Sequence, residues 1–266
     1  MIAVRPPLPP AVVVGQGRLG RALAGAFGLA GRTPALVAGR AGSAAPERVL
    51  EEVGRAGPGV VLLLAVRDDA LGALAARLGE AATADPQGAV ALHLSGVAGL
   101  DVLAPLRARG FSTGSCHPLQ SFSGSPDDSG RFEGTSFAID GEGGGRAAAD
   151  NLARALGGRP IAVAPGTRAL YHLAASLGAN GLTGLVAASR DALVASGLEP
   201  REALDALSPL LRTALEEALR AGPEAALTGP AARGDDATLE SHRQALLAWD
   251  AGRSALFEAL LREPRR

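Results

Sequence analysis

The sequence predicts an α/β protein in which a doubly wound parallel sheet is followed by an all-α domain. Three observations carry that expectation. Short apolar, β-branched runs alternate with longer alanine- and leucine-rich stretches over the first part of the chain, the pattern of parallel strands joined by crossover helices. A glycine-rich hexapeptide, GQGRLG at Gly15 to Gly20, follows the first apolar run directly and opens a helical stretch. Beyond Pro165-Gly166 the strand-like runs stop, and helical patterns continue to the C-terminus.

Taken in order, the expected strands are Ala11 to Val14, Ala35 to Gly39, Val60 to Val66, Ala89 to Ser95, Phe111 to Ser115, Thr135 to Asp140 and Pro160 to Ala164. The run from Val60 to Val66 is apolar on both faces, as a central strand covered by helices must be. Helices fill most of the gaps, the first spanning about Arg18 to Ala30. The second half is punctuated by Pro200, Gly222-Pro223 and Gly229-Pro230 into four or five helices. The expected division is 9–164 for the sheet domain and 165–266 for the helical one.

Composition narrows the function. The chain has 266 residues, 47% hydrophobic and 20% charged, with net charge −1, which disfavours disorder and a nucleic-acid coat. It contains no lysine, so all 26 basic residues are arginine. Schiff-base chemistry, a lysine-bearing phosphate loop and a lysine general acid are thereby excluded. The single cysteine, Cys116, cannot form an internal bridge and suits a reducing cytoplasm; no metal partners accompany it, and it reads as a small buried residue. Val60 to Val66, the longest purely apolar run, is far too short to span a bilayer, and the start MIAVRPPLPP lacks a signal-peptide core. The expected location is the cytoplasm, with neither membrane nor nucleic acid as partner.

The hexapeptide has the context of a Rossmann dinucleotide fingerprint. Gly15 permits the tight turn, Gly17 lets backbone amides approach a pyrophosphate, and Gly20 allows the helix to pack on the strand, so that Gln16, Arg18 and Leu19 present the helix N-terminus to phosphate. A bland glycine turn is the alternative. Where a ribose-binding acid belongs, at the end of the second strand, stands Arg40. A guanidinium pairs with a 2′-phosphate and favours NADP(H), with Ser43 as a second donor; a solvated arginine is the competing reading. Val66 and Ser95 end two strands at the same crevice. Asp68 and Asp69 either contact the cofactor or cap the next helix.

His117 and Gln120, in GSCHPLQSF, follow another strand and reach the same edge. Histidine suits proton donation near neutrality, although a lone loop histidine is often structural. On a helical wheel from His172, over an expected helix of about Arg168 to Ser196, Ser176, Asn180, Thr183 and Arg190 form one polar stripe among glycines and leucines that read as buried, Leu173 and Leu177 included. Such a stripe either faces water or lines a site. Arg233, in GPAARGD, offers a fork for a substrate carboxylate or an ordinary salt bridge. His93 reads as a satisfied core or edge histidine.

Taken with the HLSG segment at His93 to Gly96 and YHLAASLGAN at Tyr171 to Asn180, these motifs resemble a bacterial two-domain family of NADP oxidoreductases. Its members carry a Rossmann-like domain and a C-terminal domain of unassigned function. The C-terminal half is similar to the helical domain of 6-phosphogluconate dehydrogenases, which pairs with a second subunit; the resemblance therefore implies a homodimer through these helices. Ketopantoate and pyrroline-5-carboxylate reductases resemble the chain in architecture. The lysine acid that ketopantoate reductases use is absent, which leaves His117, His172 or Asn180 to serve the oxyanion side. The segment HPLQSF differs from pyrroline carboxylate reductases and counts against proline synthesis. The expected activity is hydride transfer to a small carbonyl or imine acid, with His117, His172 and Asn180 catalytic and Gln120, Ser176 and Arg233 binding substrate. A noncatalytic NADP sensor or scaffold is the rival, and a dehydrogenase of a phosphorylated sugar acid a third reading.

Overall fold

The computed structural model describes residues 5–37, 45–83 and 85–262. The first strands and helices alternate as β1 (Ala11–Val14), α1 (Arg18–Leu29), β2 (Ala35–Val37), α2 (Pro46–Ala56), β3 (Val61–Leu64), α3 (Asp68–Ala81) and β4 (Val90–His93). A 3₁₀ turn (Leu100–Leu103) and α4 (Ala104–Arg107) lead to β5 (Ser112–Pro118), then β6 (Ser136–Gly141), α5 (Gly143–Ala155) and β7 (Arg159–Ala162). The seven strands form one sheet in the order β2-β1-β3-β4-β5-β6-β7, and the fold is Rossmann-like. The expected end of the second strand at Gly39 lies outside the described residues.

Alternation along the strands divides the core. On one face Val13, Leu63, Leu92, Cys116 and Ile139 pack with Leu23 and Phe27 of α1 and Leu152 of α5. On the other, Val12, Val14, Leu62 and Ala91 pack with Val49 of α2, Leu71, Leu74 and Leu78 of α3, and Leu106 of α4. Strands buried on both faces need near-continuous apolar sequence, which is why the valine and leucine runs were legible.

The parallel arrangement fails at one pair: β5 and β6 run antiparallel. The connection between them holds only a 3₁₀ turn at Pro126–Gly130. Without a crossover helix, a strand that returns to its neighbour's edge must reverse direction.

Then come α6 (Arg168–Ser176), a π turn (Leu177–Gly181), α7 (Leu182–Ala195), α8 (Pro200–Ala221), the short α9 (Pro223–Ala226) and α10 (Gly229–Arg233), α11 (Asp236–Asp250) and α12 (Ser254–Arg262). The chain divides into two compact units, Met1–Ala179 and Asn180–Arg266. That division falls later than the change from strands to helices at 164/165, because α6 belongs with the sheet. Within the second unit α7 packs on α8 and α11 on α12. Arg253 joins Asp191 of α7 at 2.8 Å, stacks over Trp249, and donates to the carbonyl of Ala188. No described helix is long and apolar enough to cross a membrane.

Candidate active site

The Gly15–Gly20 loop has the geometry its three glycines foretold. Gly15 holds φ +112°, and a Cβ there would stand 2.3 Å from the carbonyl oxygen of Ala65, at the end of β3. At Gly20 a Cβ would meet the Gly15 carbonyl at 2.1 Å, so the helix approaches the turn as only glycine permits. Among the described residues, nothing stands near the Cβ position of Gly17, the N-cap of α1, and no side chain caps the helix. The first-turn amides therefore remain open to an anion. Gln16 and Arg18 are exposed beside them, while Leu19 packs into the core beneath. A dinucleotide pyrophosphate fits this cradle. Arg40 and Ser43 lie outside the described residues.

The chemistry-bearing residues gather at the carboxyl edge of β3, β4 and β5. A cavity of about 500 Å³ opens there between Val66 and the first turn of α3 on one side and Ser95, Gly96, His117 and His172 on the other. Val66 also touches the space above Gly15, so the cavity adjoins the phosphate loop. Two larger cavities, of about 580 and 670 Å³, lie at the opposite edge beside Arg5, Arg32 and Arg55. There Arg5 is paired with Glu133, and Arg55 with Glu51 and Glu52. Parallel sheets bind ligands at strand carboxyl ends, so the smaller cavity is the candidate site.

Ser95 ends β4 with its Oγ accepting from the amides of Val97 at 3.2 Å and Ala98 at 2.9 Å. This turn brings Gly96 against both histidines. A Cβ on Gly96 would stand 2.7 Å from His172 Nδ1 and 2.9 Å from His117 Nε2; the two ring nitrogens converge over that residue. The rings meet edge-on at 6.0 Å between centroids. His172 Nδ1 is buried with no hydrogen-bond partner among the described residues. His117 Nδ1 lies 2.8 Å from the hydroxyl of Tyr171.

Behind this pair, His93, Ser115 and Asp140 are register neighbours across β4, β5 and β6. Arg168, the first residue of α6, closes over them, donating to the Ser95 carbonyl at 2.9 Å and standing 3.7 Å from Asp140. His93 is 0% exposed in the central strand, a core histidine as one of the two expected placements had it, but both its ring nitrogens lack partners among the described residues, so it is not satisfied. The Ser115 hydroxyl and Arg168 Nε are likewise unpartnered among the described residues. Burial draws His93 down to about 3, helped by the charge of Arg168. Burial, then His172 and Arg168, draws His117 down to about 4 against the pull of Asp68. The Tyr171 phenol is pushed up to about 12 by burial, with Arg168 opposing. Both imidazoles are neutral at physiological pH, and the phenol keeps its proton.

Other expected site residues sit differently. Gln120 is exposed and engaged within its own loop, accepting from the Ser121 amide at 2.8 Å. Ser176 ends α6 half-buried. Asn180 lies exposed in the π turn, which takes an extra residue per turn, so the 100° wheel drawn from His172 does not run across it. Leu173 and Leu177, expected to be buried, are 51% and 64% exposed. Arg233 is exposed at the end of α10, near Asp235, which caps α11 through the Thr238 amide. Asp68 and Asp69 stand in the first turn of α3 and do not cap it; Asp69 pairs with Arg67 at 2.6 Å. Cys116 is buried, its thiol raised by burial. Sequence reasoning missed Tyr171 and Arg168, although Arg168 stands four residues before His172 and so on its helical face.

Fold and site together define a Rossmann-like α/β unit bearing a histidine-lined cleft, followed by a helical unit. Residues 135–263, just under half of the chain, match the family described as domain of unknown function DUF2520. An inferred NADP oxidoreductase of Bacteroides fragilis has the same fold, with TM-score 0.71 and 22% identity over 97% of this chain and 98% of its own. Protein TM1727 of Thermotoga maritima gives TM-score 0.68 and 20% identity over 96% of each chain. A Plasmodium falciparum pyrroline carboxylate reductase with NADP bound gives 0.60 and 11% over 96% and 97%. No curated protein matches the sequence.

Proposed function

We propose that the protein is an NADPH-dependent reductase of a small carbonyl or imine acid. The observation that carries this reading is the convergence of His117 Nε2 and His172 Nδ1 over Gly96, in a cavity that adjoins an uncapped, glycine-lined helix N-terminus. The structural likeness to reductases described with NADP supports the choice of cofactor. Gly15, Gly17, Gly20 and the α1 amides would hold its pyrophosphate, Val66 and Ser95 its nicotinamide side, and Arg40 with Ser43 its 2′-phosphate. The reduced nicotinamide supplies the hydride.

The chain's own contribution is positional and electrostatic. His117 and His172 bind the acceptor's oxygen or nitrogen and stabilise the charge that develops there. Since burial keeps His117 neutral, it acts as a hydrogen-bonding donor rather than a standing imidazolium. This modifies the expectation of a histidine titrating near neutrality. Within the first unit, Ser176 and Gln120 are assigned to orienting the substrate. We further assign the protein to the cytoplasm, in keeping with its single buried thiol.

The test is a screen of 2-oxo acids and cyclic imines, following loss of NADPH absorbance. Turnover of any member that falls at least tenfold in both His117→Ala and His172→Ala supports the reading. Full turnover in both variants overturns the assignment of the site. Cofactor retention with no turnover on any acceptor, plus a cofactor-dependent protein partner, would instead favour a sensor.

A further inference from the structure

Tyr171 is the only tyrosine of the chain, and its hydroxyl is 2.8 Å from Nδ1 of His117. Nδ1 is the only hydrogen-bond partner of that hydroxyl among the described residues. Two directions of this bond are formally available. In one, the phenol donates and the histidine proton sits on Nε2; in the other, Nδ1 donates to the phenol oxygen. A phenol is the better donor of the two groups and an imidazole nitrogen the better acceptor, and the second direction would leave the phenolic proton with no partner in a part-buried setting.

We propose that Tyr171 donates to His117 Nδ1, fixes the proton of His117 on Nε2 toward the cavity, and replaces that proton through Nδ1 when Nε2–H is consumed. The inference rests on the reductase reading for its final step and on geometry for the rest. With hydride delivered to carbon by the reduced nicotinamide cofactor, the substrate's oxygen or nitrogen gains an electron pair and needs one proton. The His117 Nε2–H bond breaks as the new O–H or N–H bond forms. The Tyr171 O–H bond breaks as Nδ1–H forms, leaving His117 neutral in its other tautomer and Tyr171 as a phenolate. Arg168, whose charge bears on the phenol, stabilises that phenolate, and water returns the proton. The groups facing this relay are His93 from β4, Cys116 from β5, Asp68 from α3, and Arg168 and His172 from α6, with Asp140 of β6 standing against Arg168. Tyr171 is thus a positioning and relay residue acting through His117. No lysine is needed, and none exists in the chain.

Nitrogen NMR of the full-length protein labelled at its four histidines tests the arrangement without a substrate. Assignment by single substitution of each histidine isolates the His117 signals. The expected result is a protonated Nε2 and an unprotonated Nδ1 at neutral pH, with Tyr171→Phe converting His117 to a mixture of tautomers. A wild-type His117 protonated on Nδ1, or signals unchanged in Tyr171→Phe, overturns the proposal. On an acceptor found in the screen, Tyr171→Phe should lower kcat about 10²-fold, leaving KM and NADPH affinity within twofold. Turnover within twofold of wild type overturns the relay. A correct tautomer with no acceptor reduced by the wild-type protein would instead overturn the reductase reading, and the relay with it, while the hydrogen-bond assignment stands.

Discussion

Gly96 is the residue on which the cleft depends most directly. Its missing Cβ lets the ring nitrogens of His117 and His172 close in on it, so Gly96→Ala would push both rings out of place and should reduce turnover at least tenfold while NADPH affinity, measured by calorimetry, stays within threefold. Equal turnover would show that the two rings do not share a substrate atom. His93 gives a second prediction at this scale. Its folded value, about 3, lies below the ordinary value of about 6.5, so the unfolded chain takes up protons first as pH falls. The stability it contributes is complete above about pH 6.5 and is lost on going down toward pH 3. By about pH 4.5 His93 alone should account for roughly 2–3 kcal/mol of lost stability. Denaturant titration of His93→Leu, which removes two unpartnered nitrogens, should show a flatter pH dependence; parallel curves for variant and wild type would refute the point. At this scale His117 and His172 were legible because histidine is rare in the chain and both fall beside predicted edges. Tyr171 was not, because its partner is 54 residues away and the pairing exists only once β5 and α6 meet.

Among elements, the strand-loop-helix of β1, Gly15–Gly20 and α1 was the most readable, since each glycine has a separate local reason to be there. Two substitutions separate those reasons. Gly15→Ala meets both a φ of +112° and the Ala65 carbonyl, and should destabilise the protein by about 2–4 kcal/mol. Gly17→Ala has an ordinary φ of −66° and nothing near. It should unfold within about 0.5 kcal/mol of wild type yet bind NADPH at least tenfold more weakly, because its methyl enters the space above the open amides. Unchanged NADPH affinity in Gly17→Ala would mean that the loop is only a turn. The reversed β6 had a signal that went unused: the residues between β5 and β6 hold Pro, Gly and Ser but no helical period. The π turn at Leu177–Gly181 had none, because a wheel at a constant angle hides one inserted residue.

For the molecule as a whole, the homodimer is a proposal supported by the apolar side chains left exposed, among them Leu210, Leu215 and Leu219 of α8 and Leu256 and Leu260 of α12. Leu215 and Leu219 stand four residues apart on one face of α8, as an apolar patch that marks an interface requires. Light scattering at micromolar concentration should give twice the chain mass, and Leu219→Arg, at a side chain already 79% exposed, should shift it toward monomer without lowering helix content. A wild-type monomer would end the proposal. The division into two units was only half visible beforehand: the change from strands to helices can be read along the chain, but α6 joining the sheet depends on Arg168 and Tyr171 finding partners there. The same division has an optical consequence. The first unit contains the only tyrosine, Tyr171, and the second the only tryptophan, Trp249. Fluorescence of the indole therefore reports on the second half alone of one unlabelled chain, and any lag between it and the near-ultraviolet absorbance, to which the phenol of the first half also contributes, measures how independently the halves melt.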